Sequence, residues 1–354
     1  MTTNLRPRAT DLGVKIGLLP HGEHNSITDV PEVSVGHVTL VEGDGPLVIG
    51  EGPKRTGATV ILPHQENVFR RKVTGAVHVV NGFGKALGFL QVAELGVIES
   101  PIALTSTLSI WRAADALIDH LTSQNPEVYS FNPVVGECND SFLNDMIGRH
   151  VGAEHVMEAI ESATSPNIEE GAIGAGTGMT GFGWKGGMGT SSRLCSLDGG
   201  EQYTVGVMTL TNTGDPREFR IDGVQIGRHI LPEGDAFDPI GPAGSIMMVV
   251  ATDAPVDSRQ LGRMARRAGM GLARAGGIAD HGSGDFVIAF SNSTQPKTIN
   301  DRALTPLFRG VVEATEEAVI NSVLRADTVV GRDGNTRHGI PIAEIKRILS
   351  AERK

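Results

Sequence analysis

Apolar and polar positions along the chain follow two spacings. Short apolar runs closed by glycine or a polar turn read as buried strands. These are ATVILP (58–63), GAVHVVNGFG (75–84), PIALTST (101–107), YTVGVMTLTN (203–212), SIMMVVAT (245–252) and SGDFVIAFSN (283–292). Between them, apolar residues recur three and four apart, as in a helix with one buried face. That spacing predicts helices over 85–96, 111–123, 153–163, 257–277 and 305–326. In 111–123 the apolar face is Ala114, Leu117, Ile118 and Leu121. In 257–277 it is Leu261, Met264, Ala265, Ala268 and Leu272, with Asp257 or Ser258 to cap the start and Gly276 to end the helix.

Strands and helices are mixed from end to end. No fixed-period repeat, Ser/Pro linker or charge run divides the 354 residues, so the pattern predicts a single α/β domain over 1–354. The chain holds 46 glycines, about twice the usual share of ~7%. A net charge of −10 without a long Lys/Arg run argues against a nucleic-acid partner. No apolar window reaches the length of about 18 residues that a membrane span needs. The first 30 residues lack an apolar leader segment, and the only cysteines are Cys138 and Cys195. A soluble cytoplasmic protein is the expectation.

The common motifs do not carry a function here. GTGMTG (176–181) has the form of a dinucleotide loop, but GFGWKGGMG follows it where a helix should start. The stretch 171–193 reads instead as a folded loop whose amides approach another backbone or a ligand. No P-loop occurs. HGEH (21–24) offers His21 and His24 on a loop with no further ligand nearby, so no metal site is expected. The sequons at 139–141 and 292–294 carry no weight without a leader. No G-x-S-x-G elbow supports a Ser-His-Asp triad.

The anomaly lies at residues 240–255, IGPAGSIMMVVATDAP. A loop ending in Pro242, Ala243 and Gly244 enters a buried strand whose first residue is Ser245. Taken alone, Ser245 is a turn serine. If the Gly244–Ser245 bond is cut, Ser245 instead carries a free α-amine beside its own hydroxyl. Such an amine titrates at about 7.7–8.0, close to working pH, and suits the role of base toward that hydroxyl. Glycine at 244 leaves room for the attack.

The sequence resembles the DmpA family, the L-aminopeptidase/D-esterases and their β-peptidyl aminopeptidase relatives. The resemblance runs through NSITDVPEVSVGHVTL (25–40), RTGATVILPH (55–64), NVFRRKVTGAVHVVNGFGK (67–85), NPVVGECND (132–140), GAGTGMTGFGWKGGMGTSSR (174–193), RIDGVQIG (220–227), GSIMMVVATDAP (244–255) and HGSGDFVIAFS (281–291). It implies a precursor that cleaves itself before the nucleophilic serine. Here the cut falls at Gly244–Ser245 and leaves pieces of 244 and 110 residues that stay together. It also implies a four-layer αββα sandwich of the DmpA/ornithine acetyltransferase type, assembled as a homo-oligomer, often a tetramer. The substrates would be small peptides, amides or esters, with no metal or organic cofactor.

Carried over position by position, the resemblance makes Ser245 the nucleophile and Asn212 an oxyanion donor. Ser283 and Asp285 become a Ser-x-acid pair beside the nucleophile's amine. The family's acid there can be Glu, one methylene longer. Glu137 matches an acid that pairs with the substrate's amino group. At Asn139, two residues on, well-known members carry an aromatic, often tyrosine, so this chain departs from the pattern at a substrate-binding position. Two rival readings share the fold. An acyltransferase resembling ornithine acetyltransferase would carry threonine where Ser245 stands. A non-catalytic binding protein would be consistent with the change at Asn139.

Overall fold

The computed structural model describes residues 6–233, 244–296 and 298–352. Pro242 and Ala243, which lead into the Gly244–Ser245 junction, lie outside the described residues. In chain order the strands are β1 (Ser34–Glu42), β2 (Lys54–Leu62), β3 (Val73–Gly82), β4 (Ala86–Leu87), β5 (Val97–Ile98), β6 (Ile102–Ser106), β7 (Val134–Cys138), β8 (Thr180–Gly181), β9 (Trp184–Lys185), β10 (Gly187–Ser196) and β11 (Gln202–Asn212). A short hairpin, β12 (Arg220–Ile221) and β13 (Val224–Gln225), precedes β14 (Ser245–Thr252) and β15 (Gly284–Ser291). The helices are α1 (Phe89–Leu95), α2 (Ile110–Gln124), α3 (Ala153–Glu161), α4 (Ser258–Arg274), α5 (Thr305–Leu324) and α6 (Ile342–Glu352).

Two mixed sheets form the centre. One has the order β1-β2-β6-β7-β4, the other β10-β11-β14-β15-β3-β5. Side chains on alternate residues of a strand point to opposite faces, and β14 shows where each face goes. Ile246, Met248 and Val250 join the core shared with α4 and α5. Met247, Val249 and Ala251 join the core between the sheets, with Leu104, Val134, Met208 and Ile288. A third core packs β1, β2, β6 and β7 against α2 and α3. The layers are therefore helix, sheet, sheet, helix, the αββα sandwich that the resemblance implies. Both faces of β14 are covered, and all eight of its residues are buried. A continuous apolar run in place of an alternating one is what such burial requires.

The helix between β14 and β15 forms as its pattern predicts. Asp257 caps α4 by accepting from the Gln260 amide at 2.7 Å, and the Gln260 side chain returns the bond to the Asp257 amide. The helix carries the chain back, so β15 runs parallel to β14 with Ser245 beside Gly284. On the other side β11 runs antiparallel, with Asn212 opposite Ser245. Three chain segments far apart in sequence thus end together at one edge of the inter-sheet core.

The glycine-rich stretch departs from expectation. Part of it is a ten-residue strand, β10, and nearly all of that strand is buried. Its glycines admit α5, because a Cβ on Gly189 would stand 2.0 Å from the Ala318 carbonyl oxygen. Its polar residues serve a buried network in which Arg193 meets Glu317 at 2.7 Å and Ser191 at 2.8 Å.

Truncation in the layer between the sheets should be costly. Ile288→Ala is expected to lower stability by about 2–5 kcal/mol in chemical unfolding. Leu90→Ala, at a residue 89% exposed, should stay within about 0.5 kcal/mol. Equal effects at the two positions would contradict the assigned core.

Candidate active site

Ser245 begins β14 on the face that looks between the sheets, in line with Met247 and Val249. It is 5% exposed. Its Oγ accepts two N–H groups, the Asn212 side-chain Nδ2 at 3.3 Å and the Asn139 backbone N at 3.2 Å. The first comes from the end of β11, the second from the residue that follows β7. The Asn212 amide is oriented by its other end, where Oδ1 accepts the Thr180 backbone N–H at 2.7 Å. That bond leaves Nδ2, rather than Oδ1, for Ser245.

Asn139 contributes differently from what its side chain suggested. Its Oδ1 accepts the Ser141 amide at 2.9 Å and closes a local turn. The group it presents to Ser245 is its backbone N–H, which any residue but proline supplies. Replacing an aromatic residue with asparagine therefore leaves this donor in place.

On the β15 side, Ser283 donates to Asp285 Oδ1 at 2.6 Å, so the shorter acid reaches its serine. Ser283 Oγ also lies 3.3 Å from Thr213 Oγ1, next to Asn212. Both residues are fully buried. The pairing of β15 with β3 shifts register between Asp285 and Phe286, where Val80 of β3 is the extra residue. Asp285 Oδ2 has no hydrogen-bond partner among the described residues. Burial pushes the Asp285 carboxyl up to about 6, against the opposing bond from Ser283. The Gly284 N–H donates to the Gly244 carbonyl at 3.1 Å, directly on the bond that precedes Ser245.

Glu137 is a buried acid in β7, 3% exposed, and not the surface charge that its sequence context alone would suggest. Its Oε1 accepts the Lys85 backbone N–H at 2.9 Å and lies 3.8 Å from Lys85 Nζ. Its Oε2 accepts the Thr107 hydroxyl. Glycine at position 84 lets this carboxylate and β15 approach the same point of the chain. A Cβ there would lie 3.2 Å from Glu137 Oε1 and 3.2 Å from the Gly284 Cα. The acid and the strand beside Ser245 thus flank one glycine.

The other groups nearby do not compete for the chemistry. Cys138 is buried with its thiol pushed well up by burial, which leaves it a poor nucleophile. His21, of the HGEH stretch, lies 3.2 Å from Glu317 Oε2, away from Ser245. Two surface cavities, of about 150 Å³ beside His64 and His120 and about 420 Å³ beside Arg220 and His229, include none of the site residues. All the positions carried over from the family resemblance converge here. Thr107, Thr180, Asp140 and Lys185 are the neighbours that sequence reasoning missed. The only available signal was a lone lysine in a run of glycines.

Comparison with known proteins places nearly the whole chain among related sequences and structures. Residues 25–337 match peptidase family S58. The chain is 42% identical to the β-peptidyl aminopeptidase BapA of Sphingosinicella xenopeptidilytica, over 98% of this chain and 91% of that one. Among solved structures, the PH0078 protein from Pyrococcus horikoshii OT3 superposes with a TM-score of 0.92 at 46% identity, covering 98% of this chain and 100% of that one. The L-aminopeptidase D-Ala-esterase/amidase from Ochrobactrum anthropi, described as a serine aminopeptidase with a variant of the Ntn-hydrolase fold, superposes with a TM-score of 0.87 at 31% identity. That match covers 98% and 99% of the two chains.

The unpartnered Asp285 oxygen has a consequence for stability. Its folded pKa, about 6, lies above the unfolded value of about 3.9. The native state therefore binds the extra proton, and stability falls as pH rises from about 4 to 6. In an uncleaved Ser245→Ala background, Asp285→Asn is expected to stabilise the protein by about 1–3 kcal/mol at pH 8 and by little at pH 4. An equal effect at both pH values would remove the assigned ionisation.

Proposed function

The chain belongs to peptidase family S58 and is a serine-type aminopeptidase, and we propose that it cleaves itself between Gly244 and Ser245 and then uses the new N-terminal serine as nucleophile. One observation carries this reading. Ser245 Oγ meets two N–H donors while the preceding carbonyl, that of Gly244, rests on the Gly284 N–H.

In the first reaction Ser245 Oγ attacks the Gly244 carbonyl carbon. The C–N bond breaks, an ester joins Gly244 to Oγ, and the Ser245 amine is released. Water then hydrolyses the ester, giving a Gly244 carboxylate and a free N-terminal serine. The Gly284 N–H bonds the oxygen on which negative charge develops. Glycine suits position 244 because a Cβ there would stand 2.7 Å from Thr213 Oγ1.

In the second reaction the α-amine takes the proton from Oγ as the hydroxyl attacks the substrate's acyl carbon. The leaving amine or alcohol departs with that proton, and water releases the acyl group. As Oγ moves onto the acyl carbon, Asn212 Nδ2 and the Asn139 N–H, which hold Oγ beforehand, turn to the oxyanion that forms beside it. Ser283 and Asp285 orient the amine. The orphan Asp285 oxygen is the acceptor that the α-ammonium would use in the resting enzyme. Glu137 pairs with the substrate's own ammonium, sharing its carboxylate with Lys85.

The substrates on this reading are small peptides, amides or esters with a free N-terminal amine. The relationship to a β-peptidyl aminopeptidase supports β-amino acyl groups among them. The resemblance to the family supports a cleaved unit of two associated pieces, assembled as a homo-oligomer, often a tetramer. An acyltransferase reading finds less support, since position 245 carries serine and the relatives are aminopeptidases.

Purified protein should run on a denaturing gel as two bands, near two-thirds and one-third of the full mass, and Ser245→Ala as one. Intact wild type with full peptidase activity would sink the mechanism. Glu137→Gln should raise KM for free-amine substrates by about 10- to 100-fold, the worth of a charged hydrogen bond, with kcat changed less. An unchanged KM would remove Glu137 from amine recognition.

A further inference from the structure

Two ionisable side chains lie fully buried behind the site and take no part in the steps above, Asp140 and Lys185. We infer that they are positioning residues for the catalytic step, forming one internal frame that sets the two N–H groups on Ser245. This deepens the proposed function and rests on the assignment of Ser245 and Asn212 made there.

Lys185 acts on the Asn212 side. Its three ammonium protons match three backbone carbonyls, those of Gly176 at 2.9 Å, Met179 at 2.9 Å and Gly186 at 2.7 Å. These carbonyls belong to the turn on either side of Thr180, and Lys185 pairs directly with Thr180 across the β8–β9 hairpin. The Thr180 N–H is the group that holds Asn212 Oδ1. A shift of this loop would therefore release the Asn212 amide, whose Nδ2 would lose its aim at Ser245.

Asp140 acts on the Asn139 side. Its Oδ1 accepts the Ser106 hydroxyl at 2.7 Å. Its backbone carbonyl accepts the amides of Leu143 at 3.1 Å and Asn144 at 3.0 Å. The preceding carbonyl, of Cys138, accepts the Thr107 N–H at 3.1 Å. The peptide carrying the Asn139 N–H is pinned on both sides.

The two halves meet at Gly178. A Cβ on Gly178 would stand 2.6 Å from the Asp140 Cβ and 2.3 Å from the Arg55 carbonyl oxygen. The glycine loop is thus pressed onto Asp140 while Lys185 grips the carbonyls on both sides of that glycine. This accounts for Gly178 within GAGTGMTGFGWKGG, a stretch that the sequence reads as a folded loop approaching another backbone. Burial lowers the Lys185 pKa to about 7, and the Asp140 carboxylate opposes that shift. Burial likewise raises Asp140 to about 6. Ionisable groups buried this deeply are costly to keep.

A lysine that only stabilised the loop would change melting temperature and leave turnover per folded molecule alone. A positioning lysine acts through Asn212, and its effect disappears when Asn212 is gone. The test is a double-mutant cycle on the cleaved full-length enzyme with an amino-acyl p-nitroanilide, normalised to the cleaved, folded fraction. Asn212→Ala is expected to lower kcat by about 100- to 1000-fold. Lys185→Met is expected to lower kcat about 10- to 100-fold with KM within about threefold of wild type. The double variant should match Asn212→Ala alone.

Gly178→Ala serves as the second perturbation if Lys185→Met does not fold. It moves the loop without removing a charge, and the same non-additivity is expected. Where a variant stalls self-cleavage, the cycle is scored on the rate of band conversion. Unchanged kcat in Lys185→Met, or a double variant equal to the product of the singles, overturns the inference. Unchanged kcat in Asn212→Ala overturns the oxyanion assignment itself, and the inference with it.

Discussion

The burial of β14 on both faces is the constraint from which the rest follows. A strand covered by a second sheet on one side and by helices on the other has no place for a polar side chain except at its end. Ser245 occupies that end, on the inter-sheet face, where the apolar packing of Met247 and Val249 gives way to N–H groups from two neighbouring segments. The hydroxyl is held by an unusually rigid support. Both flanking strands, β11 and β15, are buried and hydrogen-bonded along their lengths. On the proposed reading, a nucleophile mounted this way loses little freedom on reaching the transition state.

The same burial makes every polar group nearby expensive and therefore specific. A buried donor or acceptor without a partner costs about 1–3 kcal/mol, so the groups around Ser245 are tied into bonds that leave few alternatives. Asn212 has one end on Thr180 and the other on Ser245. Glu137 is shared between Thr107 and Lys85. Two acids, Asp285 and Asp140, each keep one oxygen unpartnered among the described residues, and burial raises both carboxyls to about 6. Under the proposed self-cleavage, the freed α-amine would be the cation that the unpartnered Asp285 oxygen receives. The uncleaved chain carries that cost, in keeping with strain concentrated at functional positions.

Much of this was legible because local pattern and tertiary role agreed. The runs at 203–212, 245–252 and 283–292 became β11, β14 and β15, since continuous apolarity has only one use in a sheet covered twice. The Asp257 cap and the apolar face of 257–277 produced α4 for the same reason. The failures are as instructive. β10 was hidden because its glycines and serines mimic a loop. They are strand residues whose neighbours happen to be a close-packed helix and a buried Arg193 network. β1 and β7 lie in stretches recognised only through family resemblance, and no local signal separated them from loops. Lys185 draws no reading of its own within the glycine-rich stretch. Its burial depends on three carbonyls that only the folded loop brings together.

By itself the sequence determined the alternation of strand and helix, the covered character of the central strands and, with the family resemblance, the Gly244–Ser245 junction and the residues gathered around it. These are properties of short windows or of whole motifs, which survive without coordinates. Tertiary structure alone decided which atoms do the work. It turned Asn139 from a side-chain donor into a backbone donor and put the Gly284 N–H on the Gly244 carbonyl. It also set Asp140 and Lys185 behind the two donors. The reason is that hydrogen bonds are directional and act over about 3 Å, so they depend on strand register and loop path. Register and path are set by segments more than thirty residues apart, as Ser245 and Asn212 are, and no local pattern encodes them.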